Sequence, residues 1–292
     1  MNNSIFNIAV LIDGDNAQAK IIKEIIEEVS KYGKVTIRRI YGDWTTPQMN
    51  SWKEILNNYS ISPIQKFNYT TGKNSTDSSL IIDAMDILHS RGVHGFCIVS
   101  SDSDYTGLAK RIREEGLFVM GIGRKSTPIA FVNSCEIFTF TENLTQESEA
   151  ELKKEKAKEK EKAEDKAKEK NAEKEKAKGK EKIKSKAEAN GKSKQNAKTE
   201  TTDKANGKET SKDSGNVQLN IKLIDRAFEI SINEEEEAYI STVGTSLRKL
   251  DPSFDSRTYG FKTLTKLFES LNKYVVVKNV VNGLNHPLVK LK

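Results

Sequence analysis

The chain is poor in the residues that disulfide and soft-metal chemistry require. Its 292 residues include two cysteines, Cys97 and Cys135, and three histidines, His89, His94 and His286. The two cysteines show no metal-ligand spacing and imply no disulfide framework. Each sits inside an apolar run, as a buried reduced thiol in a cytosolic protein does. With no Cys/His set, zinc is not expected. Long hydrophobic stretches are missing as well: no window reaches the roughly 18 apolar residues at which a membrane-spanning helix is considered. The amino-terminal run Ile5–Ile12 is too short for a signal peptide and lacks a basic leader. A soluble cytoplasmic protein with no membrane contact is therefore expected.

A strong charge of one sign is also lacking outside a single segment. Lys and Arg number 48 against 42 acids, giving a net charge of +6. Residues 151–214 alone hold 22 Lys and 15 Asp or Glu, which is +7, so the remaining 26 basic and 27 acidic residues sum to −1. The basic balance thus belongs to one low-complexity stretch. Apolar residues nearly vanish there, so it can build no core. Its first half spaces Glu and Lys as a solvated helix would, and its second half reads as a linker. With a coil span of about 45 Å, such a tether lets the modules on either side engage one ligand at separated points.

What remains is two patterned regions. From residue 5 to 141 short apolar runs alternate with helical periodicity. Strands are predicted at Ile5–Ile12, Val35–Tyr41, Ile61–Phe67, Phe96–Val99, Leu117–Ile122 and Glu136–Phe140. Between them, Ile21, Ile22, Ile25, Ile26 and Val29 mark one helix, and Met49, Trp52, Ile55, Leu56 and Tyr59 a second. Ile81, Met85 and Leu88 mark a third, within Asp77–Ser90, and Leu108 and Ile112 a fourth. This alternation predicts an α/β fold, a parallel sheet with helices on both faces. Trp44 and Trp52 are expected in its core. From 216 to 292 three helical patterns precede Tyr274–Lys278 and Leu288–Leu291, which bracket the turn dipeptide Asn282-Gly283. Three helices and a hairpin predict a small α+β winged helix. The expected domains are 1–142, a linker at 143–215, and 216–292.

Candidate chemistry gathers at one edge of the predicted sheet. Asp13 ends the first strand, Asp102 and Asp104 follow the fourth, and Asp77 opens the helix before it. If strands one and four are neighbours, a topological switch point lies between them, where open α/β sheets bind ligands. Carboxylates this close repel by about 4 kcal/mol per pair at 4 Å and an effective dielectric of 20, so a cation is needed to neutralise them. All-oxygen ligands suit Mg²⁺ or Mn²⁺, and such a centre suits phosphodiester hydrolysis. Asn16 is a helper or a helix cap, Ser101 a hydrogen-bond donor or a turn residue, and Asp83 a site residue or a solvated one. Lys73, Arg124 and Lys125 lie on loops at the same edge and offer phosphate contacts.

Ile8-Ala9-Val10-Leu11-Ile12-Asp13-Gly14-Asp15-Asn16 resembles the opening of the NYN domain, a branch of the PIN-like nucleases with a Rossmann-like sheet. Lys73-Asn74-Ser75-Thr76-Asp77, Asp83 and Ser100-Ser101-Asp102-Ser103-Asp104-Tyr105 match later blocks of that family in order and spacing. The resemblance implies a metal-dependent ribonuclease with Asp13, Asp77, Asp102 and Asp104 as its acidic positions. Phe254-Asp255-Ser256-Arg257-Thr258-Tyr259-Gly260-Phe261 resembles the OST-HTH (LOTUS) domain, an RNA-binding winged helix. Arg257, Tyr259, Lys262 and Lys266 are its candidate RNA-facing residues, though Glu234–Glu237 is an acidic run foreign to an RNA face. The expected function is hydrolysis of RNA, with a homo-oligomer left open. Two rivals remain: an RNA-binding regulator of the same fold without useful turnover, and a phosphatase using Asp13 as nucleophile. The phosphatase lacks a compelling lysine or second threonine block.

Overall fold

A computed structural model describes residues 6–66, 75–145, 218–281 and 283–292. Six strands form one parallel sheet: β1 (Asn7–Asp13), β2 (Lys34–Gly42), β3 (Ser62–Gln65), β4 (Gly95–Val99), β5 (Phe118–Gly123) and β6 (Ile137–Phe140). Their order is β3-β2-β1-β4-β5-β6. β1 and β4 are therefore neighbours, with Ile12 opposite Val99. The chain runs outward to β3 from β1, then returns to start again at β4. That reversal leaves a crevice beyond the carboxyl ends of β1 and β4.

Alternation along β1 sorts its side chains between two cores. Ala9 and Leu11 face a cluster with Leu80, Ala84 and Ile87 of α3 (Ser75–Ser90) and with Leu108 and Ile112 of α4 (Thr106–Glu114). Ile8, Val10 and Ile12 face the other side, against Ile22, Ile25 and Val29 of α1 (Ile22–Ser30) and Trp52. Every residue of β4 is buried, as a central parallel strand packed on both faces must be. Two expected elements came out differently. The helix expected across Pro47–Tyr59 is a 3-10 turn, Pro47–Met49, then one helical turn, α2 (Asn50–Lys53), and a chain of turns. Met49, Trp52 and Leu56 are buried all the same, so the helical spacing reported burial rather than a continuous helix. Ala130–Val132, expected only to lead into the last strand, lies in the short helix α5 (Ile129–Ser134).

The second region packs α6 (Ile221–Ser231), α7 (Ile240–Leu250) and α8 (Leu264–Ser270) against a three-stranded antiparallel sheet. That sheet has the order β7-β11-β8, from β7 (Glu237–Tyr239), β11 (Leu288–Leu291) and β8 (Tyr274–Val277). Val280–Val281 and Leu284–Asn285 pair as a short ribbon, β9 and β10, around Gly283, whose φ of 77° is left-handed. Asn282, the other half of the expected turn, lies outside the described residues. The core of this region is its own: Ile224, Phe228, Val243, Leu247, Leu267, Phe268, Tyr274 and Val289.

Both folded regions belong to one compact unit, Met1–Ser148 with Val217–Lys292. Polar contacts join them. The Phe138 amide on β6 donates to the Pro252 carbonyl at 2.8 Å, which occupies part of the edge β6 would otherwise expose. Asn143 Nδ2 donates to Thr258 Oγ1 at 2.9 Å. The expected tether, 143–215, lies outside the described residues beyond 145.

Candidate active site

Three carboxylates converge in the crevice. Asp77, Asp102 and Asp104 each offer an oxygen, and these oxygens lie within 4.8 Å of one another. Each acid arrives by its own local rule. Asp77 sits in the first turn of α3, where the helix dipole favours an anion. Asp102 caps the 3-10 turn Ser103–Tyr105, its carboxylate accepting from the Asp104 amide at 3.0 Å. The same tight turn swings Asp104 toward the same point. Capping and ligand geometry are thus compatible in Asp102 rather than alternatives.

Asp13 is not one of the three converging acids, but it lies near enough for its charge to act on Asp77. It is fully buried, and its oxygens accept from Asn16 Nδ2 at 2.7 Å, Ser100 Oγ at 2.8 Å and the Asp15 amide at 3.2 Å. Ser100 Oγ in turn accepts from the Asp102 amide at 3.1 Å. One serine therefore links the end of β1 to the turn that carries Asp102. Ser100 was in the motif but drew no attention in the sequence, because a serine in a turn has many local uses. The role expected of Ser101 differs in kind. Its hydroxyl accepts from the Arg124 amide at 2.9 Å and ties the loop after β4 to the loop after β5.

Tyr105 was likewise missed. Its ring is fully buried beside Phe131, and its hydroxyl donates to Asp77 Oδ1 at 2.6 Å. A phenol buried this way needs an acceptor, and Asp77 is the one it has. The electrostatics of the site follow from burial and crowding. Desolvation raises the Asp13 carboxyl above its ordinary range despite the Asn16 and Ser100 hydrogen bonds. Asp77 is raised by burial too. The Tyr105 hydrogen bond opposes this, while Asp13, Asp102 and Asp104 push further upward. Burial also raises the Tyr105 hydroxyl, so it stays protonated as a donor.

The other expected residues are placed as follows. Asp83 is bound by Arg39 and the Tyr41 hydroxyl, a packed polar group on α3 outside the three-acid cluster. Arg124 is exposed at the rim and reaches the Asn16 carbonyl at 3.4 Å. The Lys125 amide is held by Glu142 at 3.0 Å, with its side chain exposed. Lys73 lies outside the described residues. In the second region Lys262 is exposed, and Lys266 pairs with Glu269 at 2.6 Å. Tyr259 packs against that region's core, its ring 5.8 Å from Phe254. Arg257 is buried between carboxylates: Glu28 of α1 at 3.0 Å and Asp255 at 2.6 Å, with its own side chain 12% exposed and that of Glu28 5%. It forms a charged bridge between the two regions.

The donor set fits a hard divalent cation. It offers three carboxylate oxygens converging on one point, and at Asp77 a carboxyl raised by burial and by its acidic neighbours. Among the described residues neither cysteine is near it, both being buried in the sheet and its α5 flank.

Residues 7–144 match the family model of the NYN domain, and residues 221–286 match that of the OST-HTH/LOTUS domain. No curated protein matches the chain. A crystal structure of a protein of unknown function from Vibrio parahaemolyticus is similar at 18% identity, over 47% of this chain and 94% of that one, with a TM-score of 0.41. An uncharacterized protein from Nitrosomonas europaea is similar at 24% identity, over 32% of this chain and 92% of that one, with a TM-score of 0.25. MurG from Acinetobacter baumannii is similar at 10% identity, over 46% of this chain and 41% of that one, with a TM-score of 0.32. At such low scores these likenesses bear no weight.

Proposed function

We propose, from the premise that this chain carries an NYN domain followed by an OST-HTH/LOTUS domain, that it is a divalent-metal-dependent ribonuclease with its own RNA-binding module. An NYN domain is a nuclease-type fold and a LOTUS domain an RNA-binding one, which supports an RNA-related nuclease or binder. The observation that carries the ribonuclease reading is the convergence of Asp77, Asp102 and Asp104 within 4.8 Å at the switch point of the sheet. A binder has no need of three carboxylates aimed at one point, since they would repel an RNA phosphate.

Asp77, Asp102 and Asp104 would hold Mg²⁺ or Mn²⁺. Such an ion, when bound, polarises phosphate oxygens and makes water more acidic. The chain's own groups do the rest. Asp13, through Ser100, fixes the turn that presents Asp102. Tyr105 fixes one oxygen of Asp77 and leaves the other for the site. Arg124, anchored through Ser101, stands where it can meet a phosphate entering the crevice. In the reaction a water oxygen bonds to phosphorus, the bond to the leaving ribose oxygen breaks, and a proton from the water ends on that oxygen. The setting we expect is the cytoplasm, in keeping with two buried, unpaired cysteines. Among the described residues no helix is long and apolar enough to cross a membrane.

The test is a single-turnover assay on end-labelled RNA with Mg²⁺ or Mn²⁺, comparing the wild type with Asp102→Asn. Cleavage by the wild type and a loss of at least about 100-fold in the variant is the expected result, on the scale of removing a metal-site group. Equal cleavage by both would assign the activity to a contaminant.

A further inference from the structure

The edge of the sheet opposite the acids carries a cleft shared by the two domains. It encloses about 500 Å³ and is lined from the NYN side by Arg113, Phe118 and Glu136, and from the LOTUS side by Arg248, Lys249 and Pro252. Three cations face one carboxylate there. Arg113 spends part of its guanidinium on the Asn133 and Ser134 carbonyls, at 3.4 and 3.3 Å. Arg248 and Lys249 close α7, where they also complement the helix dipole. Among the described residues neither has a carboxylate at ion-pair distance.

A second, independent feature meets this charge. Phe118 is half-buried and belongs to a chain of rings at the same edge. Tyr32 stacks on it with centroids 5.9 Å apart, Phe6 meets it edge-on at 6.0 Å, and His94 stacks on Phe6 at 5.4 Å. Arg248 is close enough for its charge to act on the Tyr32 hydroxyl. Phe6 is 38% exposed and His94 is exposed, its Nδ1 accepting from the Asn7 amide at 3.0 Å. Cations beside a half-buried ring of the cleft's own lining, Phe118, are a pairing that suits single-stranded nucleic acid. The cations take phosphates, and each base, whatever its identity, has a face to stack.

We propose that this interdomain cleft is a second RNA site, a single-strand seat with Arg113, Arg248 and Lys249 on the phosphates and Phe118 and its neighbouring rings under the bases. It rests on the reading of this chain as an RNA-processing protein and says where the strand is held away from the acids. β5 separates Phe118 from Gly123 beside the crevice by five steps, which at 3.3 Å per residue is about 16 Å. An RNA long enough to run from one edge of the sheet to the other would be gripped at both. Neither domain builds the seat alone, which gives the contacts through Arg257, Asn143 and Phe138 a purpose beyond packing. The LOTUS domain then contributes its α7 end rather than Arg257, which Glu28 and Asp255 occupy.

The experiment reads binding without turnover. Fluorescence anisotropy of a labelled 20-nucleotide single-stranded RNA is followed in EDTA across a salt series, for the full-length wild type, Arg248→Ala/Lys249→Ala and Phe118→Leu. The double variant should bind at least about 10-fold more weakly, and its log K against log salt slope should fall by about 1.4, two phosphate contacts at about 0.7 each. Phe118→Leu should bind about 10-fold more weakly with the slope unchanged, since stacking on one ring is lost and no phosphate contact is. A melting curve for each variant guards against misfolding. If the wild type binds and the double variant matches it in affinity and slope, the seat is refuted. A wild type that binds no RNA refutes it too. A wild type that binds here in the expected way yet never cleaves RNA with Mg²⁺ or Mn²⁺ leaves the seat standing and overturns the nuclease reading alone.

Discussion

Replacing Asp77 by Asn should make the metal-free protein more stable, although it removes a residue of the proposed centre. The change deletes one charge from a group whose oxygens lie within 4.8 Å of one another, and it keeps an oxygen to accept the Tyr105 hydroxyl. The two like-charge pairs within the cluster disappear, along with the push of the buried Asp13. At 4.8 Å each is worth about 0.9 kcal/mol at the dielectric of water and about 3.5 at an effective value of 20. Asp77 and Asp102 are half-buried and Asp104 is exposed, which places the site near the watery end. A relief of about 2 kcal/mol follows, or a rise in melting temperature of roughly 4–8 °C at about 2–4 °C per kcal/mol for a domain of this size. The assay is thermal unfolding in EDTA at low salt and pH 7, repeated with saturating Mg²⁺. With the ion the wild type should gain, by about 2.7 kcal/mol at one hundred times its dissociation constant, and the variant should gain less. The pH dependence has a definite sign. The Asp77 carboxyl is raised above 3.8 in the folded protein, so the native state holds that proton more firmly than the unfolded chain does. Metal-free wild type should lose stability as pH climbs from 3.8 through the raised value, and the variant should lose less over that window. If Asp77→Asn melts at or below the wild type in EDTA, or follows the same pH course, the repulsion on which the metal argument rests is absent.

Two further substitutions probe the framework around the site. Tyr105→Phe keeps the buried ring and removes the hydroxyl that holds Asp77. Unfolding should show a loss of about 1 kcal/mol, while calorimetry with Mn²⁺ should show affinity falling by about 10-fold or more, and unchanged affinity would reduce Tyr105 to a packing residue. Arg257→Ala strands the buried Glu28. Lys31 at 2.7 Å keeps the cost toward the lower part of the usual 3–5 kcal/mol, and a cycle with Glu28→Gln should show at least about 1 kcal/mol of coupling, where strictly additive effects would mean that no bridge exists.

The sheet was legible because burial on both faces leaves a plain mark on a strand. Ile8–Ile12 and Phe96–Val99 are apolar throughout; the first stops at Asp13 and the second two serines short of Asp102. That mark is local, so the strands, the alternation with helices and the acidic stops could be read before any contact was known. The short-range rules behind helix periodicity were less dependable. Met49, Trp52 and Leu56 showed helical spacing yet fall on a 3-10 turn, a single helical turn and a following chain of turns, because such a series can bury the same face a continuous helix would. The independence of the small carboxyl-terminal core was also readable, from its own helix periods and its hairpin.

Two things were decided only by the tertiary structure. One is which polar residues support the site: Ser100 reaches Asp13 across 87 positions of sequence and Tyr105 reaches Asp77 across 28. Their types alone say nothing of this, since serine and tyrosine are ordinary in turns and cores. The other is the fate of the charges on the small domain. Arg257 stood in a motif that suggested RNA, and Glu28, 229 residues away in sequence, claims it. Sequence fixes where a charge can be offered along the chain, but its partner is set by which surfaces pack together, and that depends on contacts that exist only after both domains have folded.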